Sequence, residues 1–96
     1  MSMPLVRPME KKDIKNVAKC ESAIFSDASS QAAIETLFDM GAVGVLAEMD
    51  GEICGYAYCA DAAGDAELLR IAVMPGFRRQ GTGAALLSEM HAVLKK

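Results

Sequence analysis

An α/β (α+β) domain, with a mixed, largely antiparallel sheet flanked by helices, is the fold class this sequence predicts, and three observations carry the prediction. Val43, Val45, Ala47 and Met49 alternate with Gly44, Leu46 and Glu48, the period of a strand with one face committed to a core. Asp50-Gly51 then leads into a second apolar run, a hairpin signal because a type I′ turn needs positive φ at both central residues. A third run, residues 68–73, passes through a glycine-rich turn into a segment with Leu86, Leu87, Met90, Val93 and Leu94 at helical spacing.

The remaining elements fall in order around this frame. Residues 4–8 read as a short extended piece, since Pro8 biases Arg7 away from the helical region. Residues 10–23 place Ile14, Val17 and Ala18 on one helical face, and Lys11, Lys12, Lys15 and Lys19 read as its solvated side rather than as a phosphate patch. Ser29 or Ser30 caps a second helix carrying Ala33, Ile34, Leu37 and Phe38, with Gly41 as its stop. Strict alternation over residues 53–60 puts Cys54, Tyr56 and Tyr58 on one face and Ile53, Gly55, Ala57 and Cys59 on the other. Residues 61–65, with Gly64, read as a loop; residues 68–73 read as a strand buried on both faces and closed by Pro75-Gly76. The last helix runs from near Gly81 to the end, with His91 at the flank of its apolar face as a surface residue and Lys95 and Lys96 at the negative end of its dipole.

Composition bounds the function. The 96 residues, 52% of them hydrophobic and 24% charged, suit one compact core and exclude disorder, so residues 1–96 are read as a single domain. A net charge of −3 argues against a nucleic-acid binder, so any anion site must be local. No run approaches the roughly 18 apolar residues of a membrane span, and the first ten residues lack a signal-peptide core, which gives the expectation of a cytoplasmic protein. Cys20, Cys54 and Cys59 have neither zinc nor redox spacing and read as reduced, packed thiols; with His91 the one histidine, no metal site is expected.

Chemistry concentrates in residues 74–87, Met-Pro-Gly-Phe-Arg-Arg-Gln-Gly-Thr-Gly-Ala-Ala-Leu-Leu, where a strand meets a helix through three glycines and two arginines. The first amides of a helix lack intrahelical partners and sit at the positive end of its dipole, so this turn reads as an anion cradle. Gly81 and Gly83 permit close approach, Thr82 offers a hydroxyl, and Arg78 and Arg79 add positive charge. It is not a P-loop, because Thr82 stands where a lysine is required, and Leu86 replaces the third glycine of a dinucleotide fingerprint. The alternative is that Gly-Thr-Gly merely makes a tight entry to the helix.

Arg78-x-x-Gly81-x-Gly83, after a strand ending Ile71-Ala72-Val73-x-Pro75 and before Ala84-Ala85-Leu86-Leu87, resembles the pyrophosphate motif of the GNAT superfamily of acetyl-CoA-dependent N-acetyltransferases. The segments Ala47-Glu48-x-Asp50-Gly51-x-Ile53-x-Gly55-Tyr56, Glu67-Leu68-Leu69 and Val6-Arg7-Pro8 with Asp13-Ile14 are similar too, most closely to the branch that includes ribosomal-protein alanine N-acetyltransferases. The resemblance implies transfer of acetyl from acetyl-CoA (coenzyme A as cosubstrate, no metal) to a primary amine, either a protein N-terminus or a small molecule. It implies that the amides of Arg79, Gln80, Gly81, Thr82, Gly83 and Ala84 hold the pyrophosphate beside Arg78, and that Ile71, Ala72 and Val73 pair main chain with pantetheine. The backbone near Ala72 and Val73 would polarise the thioester carbonyl.

Glu67 falls where several members of the family place a general base, a role that needs its pKa raised by burial; it reads equally as an exposed strand-end carboxylate. Tyr56 and Tyr58 read as packing or groove-lining residues rather than proton donors. The family continues past this helix with another strand, helix and strand pair, so the resemblance implies a GNAT-like fold lacking its C-terminal strands and leaves the acid unassigned. A catalytically silent module binding coenzyme A or a partner chain is the rival reading. The open strand at residues 68–73 gives the expectation of a homodimer or strand-exchanged oligomer.

Overall fold

The computed structural model describes residues 4–62 and 65–95. Its order is strand β1 (Leu5–Pro8), a 3-10 turn (Lys11–Asp13), helix α1 (Ile14–Ile24), α2 (Gln31–Asp39), β2 (Val43–Met49), β3 (Glu52–Ala62), β4 (Asp65–Val73) and α3 (Thr82–Leu94). The four strands form one sheet in the order β1-β2-β3-β4, with every pairing antiparallel. The expected hairpin joins its two central strands, and Asp50 and Gly51 have φ of 54° and 80°, the paired positive values that a type I′ turn demands.

Each face of the sheet has its own core. Leu46, Tyr56, Tyr58 and Ala72 meet Ile14, Val17 and Ala18 of α1 and Ile34 of α2 on one side. Val45, Ala47, Cys54, Ala57 and Cys59 meet Leu86 and Met90 of α3 on the other, which makes three layers. Ser30, not Ser29, caps α2, its Oγ accepting the Ala33 N–H at 3.1 Å. The four lysines of the first helical segment are exposed, as is His91. The helix itself starts late, because a 3-10 turn comes first: Asp13 accepts the Glu10 N–H at 2.7 Å and both Arg7 Nη groups at 2.9 Å, while Arg7 Nε reaches Glu48 at 2.9 Å. This ties β1, the turn and β2 together.

Two bulges correct the facing expected from strict alternation. The β2–β3 register steps from Ala47↔Gly55 to Glu48↔Ile53, so Cys54 has no opposite number. Cys54 therefore turns to the α3 core, against the expected grouping with the tyrosines, and Ile53 packs on the α1 side. The β3–β4 register steps from Tyr58↔Arg70 to Cys59↔Leu68, leaving Leu69 extra. Residues on either side of that step change faces: Glu67, opposite Ala60, joins the Tyr58–Arg70 face instead of sharing that of Ile71 and Val73, as strict alternation would have it.

Residues 68–73 are not buried on both faces. Leu68 and Leu69 are 48% and 37% exposed, and of the run only Ala72 is buried, because β4 is the last strand and pairs only with β3 among the described residues. Strand pairing also extends through Asp61 and Ala62 on β3 and resumes at Asp65, where a loop was expected; Gly64 of that loop lies outside the described residues. No described helix is long and apolar enough to cross a membrane, and no described group of three His, Cys, Asp or Glu could hold a metal ion. Burial pushes the Cys20 and Cys54 thiol pKa values up, which keeps both protonated and unreactive.

Candidate active site

The end of β4 and the start of α3 form the candidate site. The Met74 N–H donates to the Cys54 carbonyl at 2.8 Å, next to the Gly55↔Val73 pair. In an antiparallel ladder this makes Gly55↔Val73 a non-hydrogen-bonded pair and Tyr56↔Ala72 a hydrogen-bonded one. Val73 and Ile71 therefore turn their main-chain groups to the open edge of β4. Ala72 turns its own toward β3, so of the three residues expected to pair with pantetheine, Ile71 and Val73 are placed to do so and Ala72 is not. Any backbone donor to a thioester carbonyl must come from the same outward pair.

The turn that follows is held by its own side chains. Arg78 Nε donates to the outward-facing Val73 carbonyl at 2.9 Å, and Gln80 Nε2 donates to the Gly76 carbonyl at 3.2 Å. Gly81 ends the turn at φ 80°, a left-handed conformation in which a side chain would be strained, and it supplies no capping group to α3. The first bond into the helix runs from Ala85 N–H to the Gly81 carbonyl, so the amides of Thr82, Gly83 and Ala84 precede the intrahelical ladder at the positive end of the dipole. Arg79 is also left-handed, at φ 64°, and both arginines are exposed.

Thr82 departs from expectation. Its side chain is buried and donates to the Phe77 carbonyl at 3.3 Å, so the hydroxyl holds the turn shut while its amide remains at the helix start. At Gly83 an added Cβ would come no nearer than 3.8 Å to Val73 Cγ2, and at Gly81 it would meet nothing within 4 Å. The cradle is thus open on its outer side. It fits a pyrophosphate by backbone amides, local positive charge and space together.

Glu67 is exposed, so the burial expected of a general base at this position is absent from the protein alone. The buried carboxylate is a different one. Glu21, in the last turn of α1 and fully inaccessible, accepts the hydroxyls of Tyr56 and Tyr58 at 3.1 and 2.9 Å on Oε1. Its Oε2 accepts the Ser29 N–H at 2.6 Å and faces Arg70 Nη2 at 3.4 Å. Burial first, and then Glu21, pushes the Tyr56 and Tyr58 pKa values up, so both phenols stay protonated donors. Neither Glu21 nor Arg70 stood out in the sequence; the signal available was a lone glutamate four residues beyond Val17 on the apolar stripe of α1. A separate cleft of about 430 Å³, between Asn16, Lys19 and Cys20 of α1 and Gly51, Glu52 and Ile53 of the hairpin, contains none of these groups.

Comparison with known proteins places this geometry. Among solved structures the chain is similar to the ribosomal-protein-S18-alanine N-acetyltransferase from Escherichia coli, with a TM-score of 0.84 and 23% identity over 96% of this chain and 59% of that one. It is similar to Ard1 from Thermoplasma volcanium, with a TM-score of 0.83 and 22% identity over 98% and 65% of the two chains. PaiA N-acetyltransferase from Thermoplasma acidophilum, solved with coenzyme A, gives 0.79 and 19% over 99% and 73%. At these identities the likeness shows the fold, and the chain spans about three fifths of the first of these relatives. No curated protein matches it by sequence. The family model for the acetyltransferase (GNAT) domain matches residues 41–96, more than half of the chain and all of the site from β4 to α3, and on that match the chain belongs to the GNAT acetyltransferase family.

Proposed function

We propose that this chain binds acetyl-CoA along the open edge of β4 and transfers its acetyl group to a primary amine. The observation that carries the reading is the outward main chain of Ile71 and Val73 running directly into an uncapped helix start at Gly81, a strip of amides and carbonyls followed by an anion cradle. Pantetheine would add to β4 as a strand does, and the amides of residues 79–84 would take the pyrophosphate beside Arg78. For transfer, the ammonium of the acceptor first loses a proton to Glu67, directly or through water. The neutral nitrogen then attacks the thioester carbon, the C–S bond breaks as the C–N bond forms, and the second nitrogen proton ends on the departing sulfur. Bound acceptor and coenzyme would cover Glu67 and exclude water from the proton transfer.

The exposure of Glu67 favours a second reading, a module that binds the coenzyme without turnover. The test is calorimetric titration with acetyl-CoA followed by thiol release with a panel of primary amines. Binding with thiol release supports the transferase, binding without it supports the silent module, and no binding removes both.

A further inference from the structure

Arg70 stands between the extra residue Leu69 and the outward-facing Ile71, on the sheet face that carries Tyr58 and Glu67. Its guanidinium is held loosely. The Nη2 contacts run to Glu21 Oε2 at 3.4 Å and the Asp27 carbonyl at 3.2 Å, the Nη1 contact to Asp27 Oδ1 is 3.5 Å, and the carbon lies 4.2 Å from the centre of the Phe25 ring. Two of these three hydrogen bonds are at the outer limit for such contacts, and the Tyr58 hydroxyl is a further neighbour of the guanidinium. Its Nε is buried and has no partner, the one such side-chain atom among the described residues. Glu21, by contrast, is fully served by four donors, so the deficit belongs to the cation. A buried guanidinium N–H left unmade gains from any ligand oxygen that reaches it, and long flanking contacts make the reorientation cheap.

The surroundings say which oxygen. Around Arg70 the carboxylates of Glu21 and Asp27, with Glu67 and Asp65 further along the same face of β4, outnumber the guanidinium, which disfavours a further anion and favours an ammonium. Glu67 and Arg70 are two rungs apart on one face of β4, about 7 Å by strand rise. An amine at Glu67 with an uncharged oxygen two or three bonds away would span that interval.

We propose that Arg70 is a specificity-determining residue that donates from its guanidinium to a neutral oxygen, amide carbonyl or hydroxyl, carried beside the amine of the acceptor. The substrate side of this proposal rests on the acetyl-transfer reading; the binding side does not. Four small amines separate the cases: glycinamide carries a carbonyl, ethanolamine a hydroxyl, ethylamine neither, and glycine a carboxylate. With acetyl-CoA, glycinamide or ethanolamine should exceed ethylamine in kcat/KM by about ten- to a hundredfold, the range of one charge-assisted hydrogen bond, and glycine should be the poorest. Arg70→Lys, which keeps the charge and loses the Nε–H, should bring that ratio close to one, a change in selectivity that a purely structural role would not produce.

Binding is read independently from the Arg70 Nε–Hε resonance of the unaltered protein, which should move with glycinamide or ethanolamine and stay still with ethylamine. If the resonance moves and no amine is acetylated, the transferase reading fails while the oxygen site stands. A resonance that ignores all four amines, or transfer with equal preference for ethylamine, overturns the proposal.

Discussion

The Tyr58 hydroxyl on β3 donates at 2.9 Å to Oε1 of Glu21, 37 residues earlier on α1. Tyr56 donates to the same oxygen from a ring stacked parallel to that of Tyr58, with centroids 6.2 Å apart. One carboxylate thereby joins the first helix, the central sheet, the Ser29 segment and Arg70. A buried charge is tolerable only when each lone pair finds a donor, and here each does. Glu21→Ala should therefore cost about 3 kcal/mol or more, since it orphans two phenols and a partly buried guanidinium, whereas Tyr58→Phe should cost about 1–3 kcal/mol. Urea denaturation of the two variants measures the difference.

The same pair predicts the alkaline limb of stability. Both phenols have pKa values raised above the ordinary 10, chiefly by burial and then by Glu21. A group whose folded pKa is raised contributes stability that is complete below its unfolded pKa and fades as pH rises toward the folded value. Stability should thus be flat with respect to these groups below pH 10 and fall above it, with tyrosinate absorbance appearing together with unfolding. The chain has two tyrosines and no tryptophan, so the titration is easily assigned. Tyrosinate formation near pH 10 in a still-folded protein would contradict the buried pair.

Period and turn chemistry made the frame legible because they are local. Alternation over residues 43–49, positive φ at Asp50-Gly51, the Ser30 cap and the Gly81 entry each follow from neighbours in sequence. The bulges at Cys54 and Leu69 were not legible, since an extra residue in one strand is defined only by the register of its partner. Their effect reaches the site: the Leu69 bulge sets Glu67 on the same face as Arg70, which strict alternation would not do. Glu21 was hidden for a related reason. A glutamate on an apolar stripe reads as a boundary residue until the strand bringing two phenols to it is in place.

At the cradle, the two glycines should fail differently. Gly81 holds φ 80°, so Gly81→Ala should lower stability by about 1–2 kcal/mol through backbone strain alone. Gly83 has space for a methyl group, its nearest neighbour being Val73 Cγ2 at 3.8 Å, and lies in the first turn of α3. Gly83→Ala should leave the fold intact or slightly stabilised, by up to about 1 kcal/mol. A larger side chain, as in Gly83→Val, should abolish acetyl-CoA binding by obstructing the amides. Thermal denaturation paired with calorimetry separates the effects, and parent-like binding by Gly83→Val would remove the pyrophosphate assignment.

Asp13 governs the acid limb. The Arg7 guanidinium, followed by the Glu10 amide, holds its pKa below the ordinary 3.8. A depressed folded pKa gives stability that is present above the unfolded value and lost as pH falls through the folded one. Asp13→Asn should therefore destabilise by about 1–3 kcal/mol at neutral pH, and parent and variant should converge well below pH 3.8. Chemical denaturation at neutral and strongly acid pH checks the convergence.

Arg78 is exposed and already donates to the Val73 carbonyl, the group that a pairing ligand would need. On the proposed reading, ligand entry would displace that bond and leave the guanidinium to act on the pyrophosphate as a screened surface charge. Arg78→Ala should weaken acetyl-CoA binding more at low salt than at high salt, because the Debye length shrinks from about 30 Å at 0.01 M to about 3 Å at 1 M. An equal loss at both salt concentrations would place the effect in the turn's conformation instead.

The open edge of β4 yields the last prediction. Ile71 and Val73 turn their main chain outward beside exposed Leu68 and Leu69, with Arg78 on the Val73 carbonyl, a template for another strand once that contact is displaced, yet the Leu69 bulge breaks the regular ladder and confines the usable stretch to the residues that would also pair with pantetheine. Self-association through this edge and acetyl-CoA binding should therefore compete. Sedimentation velocity over a micromolar concentration series should show a dimer that shifts toward monomer as acetyl-CoA is added, with Val73→Pro weakening both processes. A monomer at every concentration would show that the bulge and twist of β4 suffice to guard its edge. A dimer indifferent to acetyl-CoA would place the interface elsewhere, with the exposed Leu87 of α3 the next surface to alter.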